Sequence, residues 1–79
     1  MRKQARLTLI LSFHTTAAAM ETERVCAAAG IPGRLLPAPR QLTADCGIAW
    51  ASDPADRPRL EALASEGAIE PATFDELLL

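Results

Sequence analysis

The sequence predicts an α+β domain: an antiparallel sheet with two helices packed on one of its faces. Three observations lead there. Apolar residues alternate from Leu7 to Phe13, as in a strand with one face in a core. Two segments with helical patterning each stop at a glycine, Gly30 and Gly67. Short apolar runs bounded by proline and turn residues lie between and after them. The resulting order is strand, helix, strand, strand, helix, strand, which is the split βαβ arrangement of ferredoxin-like domains.

Each element has a local cause. In the first strand Leu7, Leu9, Leu11 and Phe13 share one face and Thr8, Ile10 and Ser12 the other. Thr15 or Thr16 then caps a helix by accepting from a free backbone N–H. That helix runs from Ala17 to Ala29, with Ala18, Val25 and Ala29 inward and Glu21, Glu23 and Arg24 outward. Gly30 ends it in the left-handed conformation. Arg34-Leu35-Leu36 is a short strand stopped by Pro37 and Pro39, and prolines confine a strand to a sheet edge. Cys46 to Ala51 is the third strand, with Ile48 and Trp50 on one side, expected on the core face. Asp56 is the better cap for the second helix, because Pro58 then falls in its first turn. Leu60, Leu63 and Ala64 form that helix's apolar stripe. Ala68-Ile69-Glu70 begins the last strand.

The whole chain, 79 residues and 8.4 kDa, reads as one small domain, residues 1–79. It has a basic N-terminal extension over 1–6 and an apolar tail over 75–79 that docks on the body or meets a partner. Aromatics are only 4 % of the residues, so alanine and leucine must fill the core. A chain near the lower limit for an independent core does not readily wall off a deep pocket, which favours a carrier or binding module over a complete enzyme. The net charge is −2 and no basic stripe with interleaved aromatics occurs, so nucleic acid is not an expected partner. No apolar run reaches the length of a membrane span. Arg2 to Ala19 imitates a secretory signal peptide, but its apolar part is short and His14 interrupts it. A buried strand followed by a helix accounts for the same residues.

The two cysteines, Cys26 and Cys46, are read apart. Right-handed crossovers bring the end of the first strand to the sheet end from which Cys46 emerges. Cys46 therefore belongs near His14, Thr15, Thr16 and the N-terminus of the first helix. Cys26 lies about 15 Å further along that helix, beyond disulfide reach. Independent thiols suit a reducing, cytoplasmic setting.

A helix N-terminus stabilises a thiolate. Arg40 adds a positive charge in support, His14 is the candidate base, and Thr15 and Thr16 are candidate anion-holding residues. Gly47 leaves the thiol unshielded, whereas Asp45 opposes ionisation. The competing reading makes Cys46 a small hydrophobe at the start of a strand. Cys26 reads as a core or semi-exposed helix residue. One histidine without a CxxC gives no zinc set, so neither a metal nor a cofactor is expected. Glu21, Glu23, Arg57 and Arg59 read as solvated helix faces.

The residues from Leu7 to Ile69 resemble the selenium/sulfur carrier-like family of small bacterial domains. The resemblance is carried by His14-Thr15-Thr16-Ala17-Ala18-Ala19, Ala29-Gly30-Ile31-Pro32, Leu36-Pro37-Ala38-Pro39-Arg40 and Asp45-Cys46-Gly47-Ile48-Ala49. It implies that Cys46 is the carrier thiol. Cys46 would hold a persulfide or selenopersulfide received from a donor protein and pass it to an acceptor. The alternative from another class is a non-catalytic interaction or self-association module that uses the free sheet face, the Arg34–Leu36 edge or the Leu77–Leu79 tail. A small-molecule sensing domain is a third reading, since this fold hosts many functions.

Overall fold

A computed structural model describes residues 6–42 and 46–79. Among the described residues, four strands and two helices follow the expected order. They are β1 (Leu7–Ser12), α1 (Thr16–Ala29), β2 (Arg34–Pro37), β3 (Ile48–Ser52), α2 (Arg57–Ser65) and β4 (Thr73–Leu78). The sheet order is β2-β3-β1-β4 with every neighbour antiparallel, and both helices cover one face. This is the ferredoxin-like topology.

The core lies between that face and the helices. Leu9, Leu11 and Phe13 from β1 and its exit meet Trp50 of β3, Ala19 and Cys26 of α1, Leu60 of α2, and Ile31 and Ile69 from the loops. Trp50 is thus a core residue, as expected. Its indole Nε1 is buried with no hydrogen-bond partner among the described residues. On the other face Ile10, Ala49 and Ala51 form a second cluster, covered in part by Leu36, Ala38, Leu42 and Leu77.

Helix α1 starts because the Thr15 hydroxyl accepts from Ala18 N at 3.1 Å. It ends because Gly30, at φ 74°, turns its N–H back to Ala27 O and Cys26 O. Its buried positions are Ala19, Thr22 and Cys26, and Ala29 is exposed rather than inward. Thr22 tolerates full burial because its hydroxyl donates to Ala18 O at 3.0 Å.

The second helix enters in two steps. Asp53 accepts from Ala55 N at 2.8 Å and opens a 3₁₀ turn over Pro54–Asp56. Asp56 follows as the cap position of α2 but makes no side-chain capping bond. Two arginines expected to be merely solvated make tertiary contacts. Arg57 bridges Glu61 at 3.0 Å and Glu76 of β4 at 2.9 Å, and lies 5.6 Å from the Phe74 ring centroid. Arg59 donates to Ala29 O at 2.9 Å, which satisfies a carbonyl at the end of α1.

The last strand also lies later than its predicted start at Ala68–Glu70. Ile69 is instead a core residue in the connection, and Pro71 cannot donate to a ladder. Pairing begins at Thr73 opposite Ser12, and the leucine-rich tail is itself β4 as far as Leu78. Leu79 and Arg6 extend that ladder by exchanging backbone bonds of 3.0 and 3.1 Å.

Candidate functional site

The β2–β3 connection carries the candidate thiol. Pro39 O accepts from Leu42 N at 3.0 Å to close a turn, and Gly47 O accepts from Ala38 N at 3.0 Å to tie the loop ends together. Gly47 has φ 75°, a left-handed conformation that side chains disfavour, and no atom lies within 4 Å of where a Cβ would stand. That turn places Cys46 just before β3 rather than within it. Asp45 lies outside the described residues, as do Thr43 and Ala44.

Cys46 is half-buried. It packs against the helix-face core beside Ile48, and its thiol donates to Ile48 O at 3.3 Å. The small-hydrophobe reading of this residue is therefore part of its structure. Cys26 is fully buried and free, and burial pushes its thiol pKa up. The nearby Asp56 carboxylate raises it further and Arg59 opposes the shift.

Register explains which other residues share the Cys46 end of the sheet. Ser12 pairs with Ala49 on one side and Thr73 on the other, so β1 exits where β3 begins. His14, Thr15 and Thr16 follow that exit and are exposed. The Thr15 hydroxyl oxygen is engaged in capping α1, and Thr16 opens its first turn. Arg40 occupies the exposed turn closed by Pro39 and Leu42. Its neighbours Ala38 and Leu42 pack on the open sheet face, opposite the face on which Cys46 packs.

A groove lies at the β2 edge, the edge named above as a candidate interaction surface, and reaches Gly47 and Ile48. Leu35, Leu36, Pro37, Gly47 and Ile48 line a depression of about 320 Å³ at the β2 edge. It forms because the short β2 leaves Leu35 and Leu36 half-exposed next to a glycine. Among the described residues, no group of three or more His, Cys, Asp or Glu side chains is placed to hold a metal. No helix among them is long and apolar enough to cross a membrane.

Fold and site define a small ferredoxin-like domain with a half-buried thiol at one end of its sheet. The chain belongs to the family described as "Putative Se/S carrier protein-like", whose model matches residues 8–75. No curated protein and no solved structure matches it.

Proposed function

We propose that this domain carries sulfur or selenium between proteins as a terminal chalcogen on Cys46. The observation that carries the reading is family membership over a span that includes Cys46. The two cysteines also differ in burial, which supports the choice between them: Cys26 is fully buried, while Cys46 is half-buried at the turn that precedes β3.

In the proposed step the Cys46 thiolate attacks the terminal sulfur of a donor persulfide. The donor's S–S bond breaks, its thiolate leaves, and Cys46–S–SH forms. Selenium follows the same balance, with a donor S–Se bond broken and Cys46–S–SeH formed. The acceptor then takes the terminal atom and regenerates the Cys46 thiolate, so the cycle needs no external oxidant or reductant. The Ile48 carbonyl that now accepts from the thiol must release it for attack. Nearby, the groove of Leu35, Leu36 and Ile48 offers an apolar seat for a donor or acceptor chain. His14 is proposed as the proton acceptor, Thr16 and the α1 N-terminus as the anion-holding group, and Arg40 as a docking charge. The proposed site of action is the cytoplasm.

The test is intact-mass spectrometry after incubation with a cysteine desulfurase and cysteine, or a selenocysteine lyase and selenocysteine. The expected adduct is about 32 Da for sulfur or about 80 Da for selenium, lost in Cys46→Ser and kept in Cys26→Ser. No adduct with either donor, or an adduct that persists in Cys46→Ser, refutes the assignment.

A further inference from the structure

We infer that β4 is a self-association edge through which two copies pair antiparallel into one eight-stranded sheet, with the twofold axis at Glu76. The argument starts from the ladder. Arg6 and Leu79 exchange both of their backbone bonds. Antiparallel pairs alternate between bonded and non-bonded, so the register makes Thr8–Leu77 and Ile10–Asp75 bonded pairs as well. The N–H and C=O groups of Phe74, Glu76 and Leu78 therefore point away from β1, along an edge that no described strand pairs with.

The opposite edge is built differently. Ala38 N donates to Gly47 O, so alternation makes Leu36–Ala49 and Arg34–Ala51 the bonded pairs of β2 and β3. Leu35 and Pro37 face outward there, and Pro37 has no N–H to offer. That edge is short and blunted, as edges that avoid association are. By contrast β4 spans six residues without a proline.

Side chains select a second copy in one register. A twofold at Glu76 sets Phe74 opposite Leu78 of the other copy, twice, and Glu76 opposite Glu76. All six outward N–H and C=O groups of each strand are then paired. Leu78 is 67 % exposed and lies on the same face as Phe74, so in the dimer it covers the Phe74 ring of its neighbour. Facing carboxylates would ordinarily repel. Here each Glu76 carries its own Arg57 at 2.9 Å, which offsets that repulsion. Shifting the axis to residue 75 opposes Asp75 to Asp75, for which no cation is paired among the described contacts, and so disfavours that register. Leu79, also exposed, lies at the end of the same edge. An edge of this length gives weak, concentration-dependent association. It leaves the Cys46 end and the β2 edge open, so this inference is independent of the carrier reading.

The experiment is sedimentation equilibrium of the full chain from micromolar to millimolar concentration, with hydrogen exchange followed by NMR. The expected mass rises to twice 8.4 kDa. In the dimer the amides of Phe74, Glu76 and Leu78 become protected. Leu78→Lys replaces the apolar cover of the neighbour's Phe74 with a solvated charge at a solvent-facing site and is expected to weaken the dimer at least ~10-fold. Arg34→Glu, on the β2 edge, leaves it intact. Circular dichroism and Trp50 emission verify that both variants are folded. Three results each overturn the proposal: a monomer at millimolar concentration, a dimer that survives Leu78→Lys but is lost in Arg34→Glu, or a dimer whose Phe74, Glu76 and Leu78 amides exchange like exposed groups.

Discussion

Replacing Gly33 with alanine tests the packing that seats β2 on the sheet. Gly33 precedes β2, and the reason for a glycine there is space. A Cβ would stand 2.6 Å from Ala51 O and 2.7 Å from Trp50 Cε2, and closer still to Trp50 Cζ2. Neither obstacle is flexible: one is backbone of β3, the other the ring of a buried tryptophan. Ordinary contact requires a retreat of about 1 Å. Overpacking of this kind costs about 1–3 kcal/mol. Contacts this short put the cost at about 2–2.5 kcal/mol, and alanine recovers about 0.4–1 kcal/mol by restricting the unfolded chain, which leaves a net loss near 1–2 kcal/mol. At about 4–8 °C per kcal/mol for a domain of this size, Tm falls by roughly 4–16 °C. Urea unfolding followed by circular dichroism measures it. Trp50→Phe supplies the cycle, because it withdraws ring atoms and also removes a buried N–H without a partner. The double variant should recover about 1 kcal/mol of the Gly33→Ala loss, and only part of it, because the Ala51 carbonyl remains. A Gly33→Ala protein within about 0.5 kcal/mol of wild type, or strict additivity with Trp50→Phe, would refute the reasoning.

The remaining predictions concern the helix cap and the two thiols. Thr15→Ala removes the acceptor for Ala18 N and should cost about 1 kcal/mol in urea unfolding, with Thr15→Ser restoring most of it. Cys26 has a folded-state pKa raised above its usual 9.0, so its contribution to stability is fully present below that value and is lost as pH rises through the folded pKa. Unfolding free energy should therefore fall above about pH 9, by up to about 1.4 kcal/mol per pH unit from this group, and Cys26→Ala should flatten that part of the profile. At fixed pH and without denaturant, iodoacetamide should modify Cys46 faster than the fully buried Cys26; equal rates would remove the distinction between the thiols. Cys46→Ser, at a half-buried position, should change stability by less than about 1 kcal/mol while abolishing the proposed transfer.

Sequence reasoning succeeded where a local cause operates. The alternation of Leu7, Leu9, Leu11 and Phe13 located the central strand, because side chains on a strand repeat every second residue. Thr15 and Gly30 bounded the first helix through hydrogen bonds made within one turn. Pro37 marked the edge strand by lacking a donor. It failed where distant segments compete. Inward positions of α1 depend on which residues meet β3 and β2, so Ala29 faces solvent and Thr22 and Cys26 face the core. Ala68-Ile69-Glu70 has a strand's composition, but β1 has only six residues to pair with, and Thr73–Leu78 occupies them.

The sequence by itself determined the order of elements and the ferredoxin-like class, because periodicity, caps and proline chemistry act over a few residues. Only the tertiary structure decided how far Cys46 is buried, on which face the Arg40 turn packs, why Gly33 must lack a side chain, and which sheet edge has free donors. These depend on register and on contacts between segments far apart in the chain. A one-residue change of register would reverse every one of those faces without altering a single local propensity.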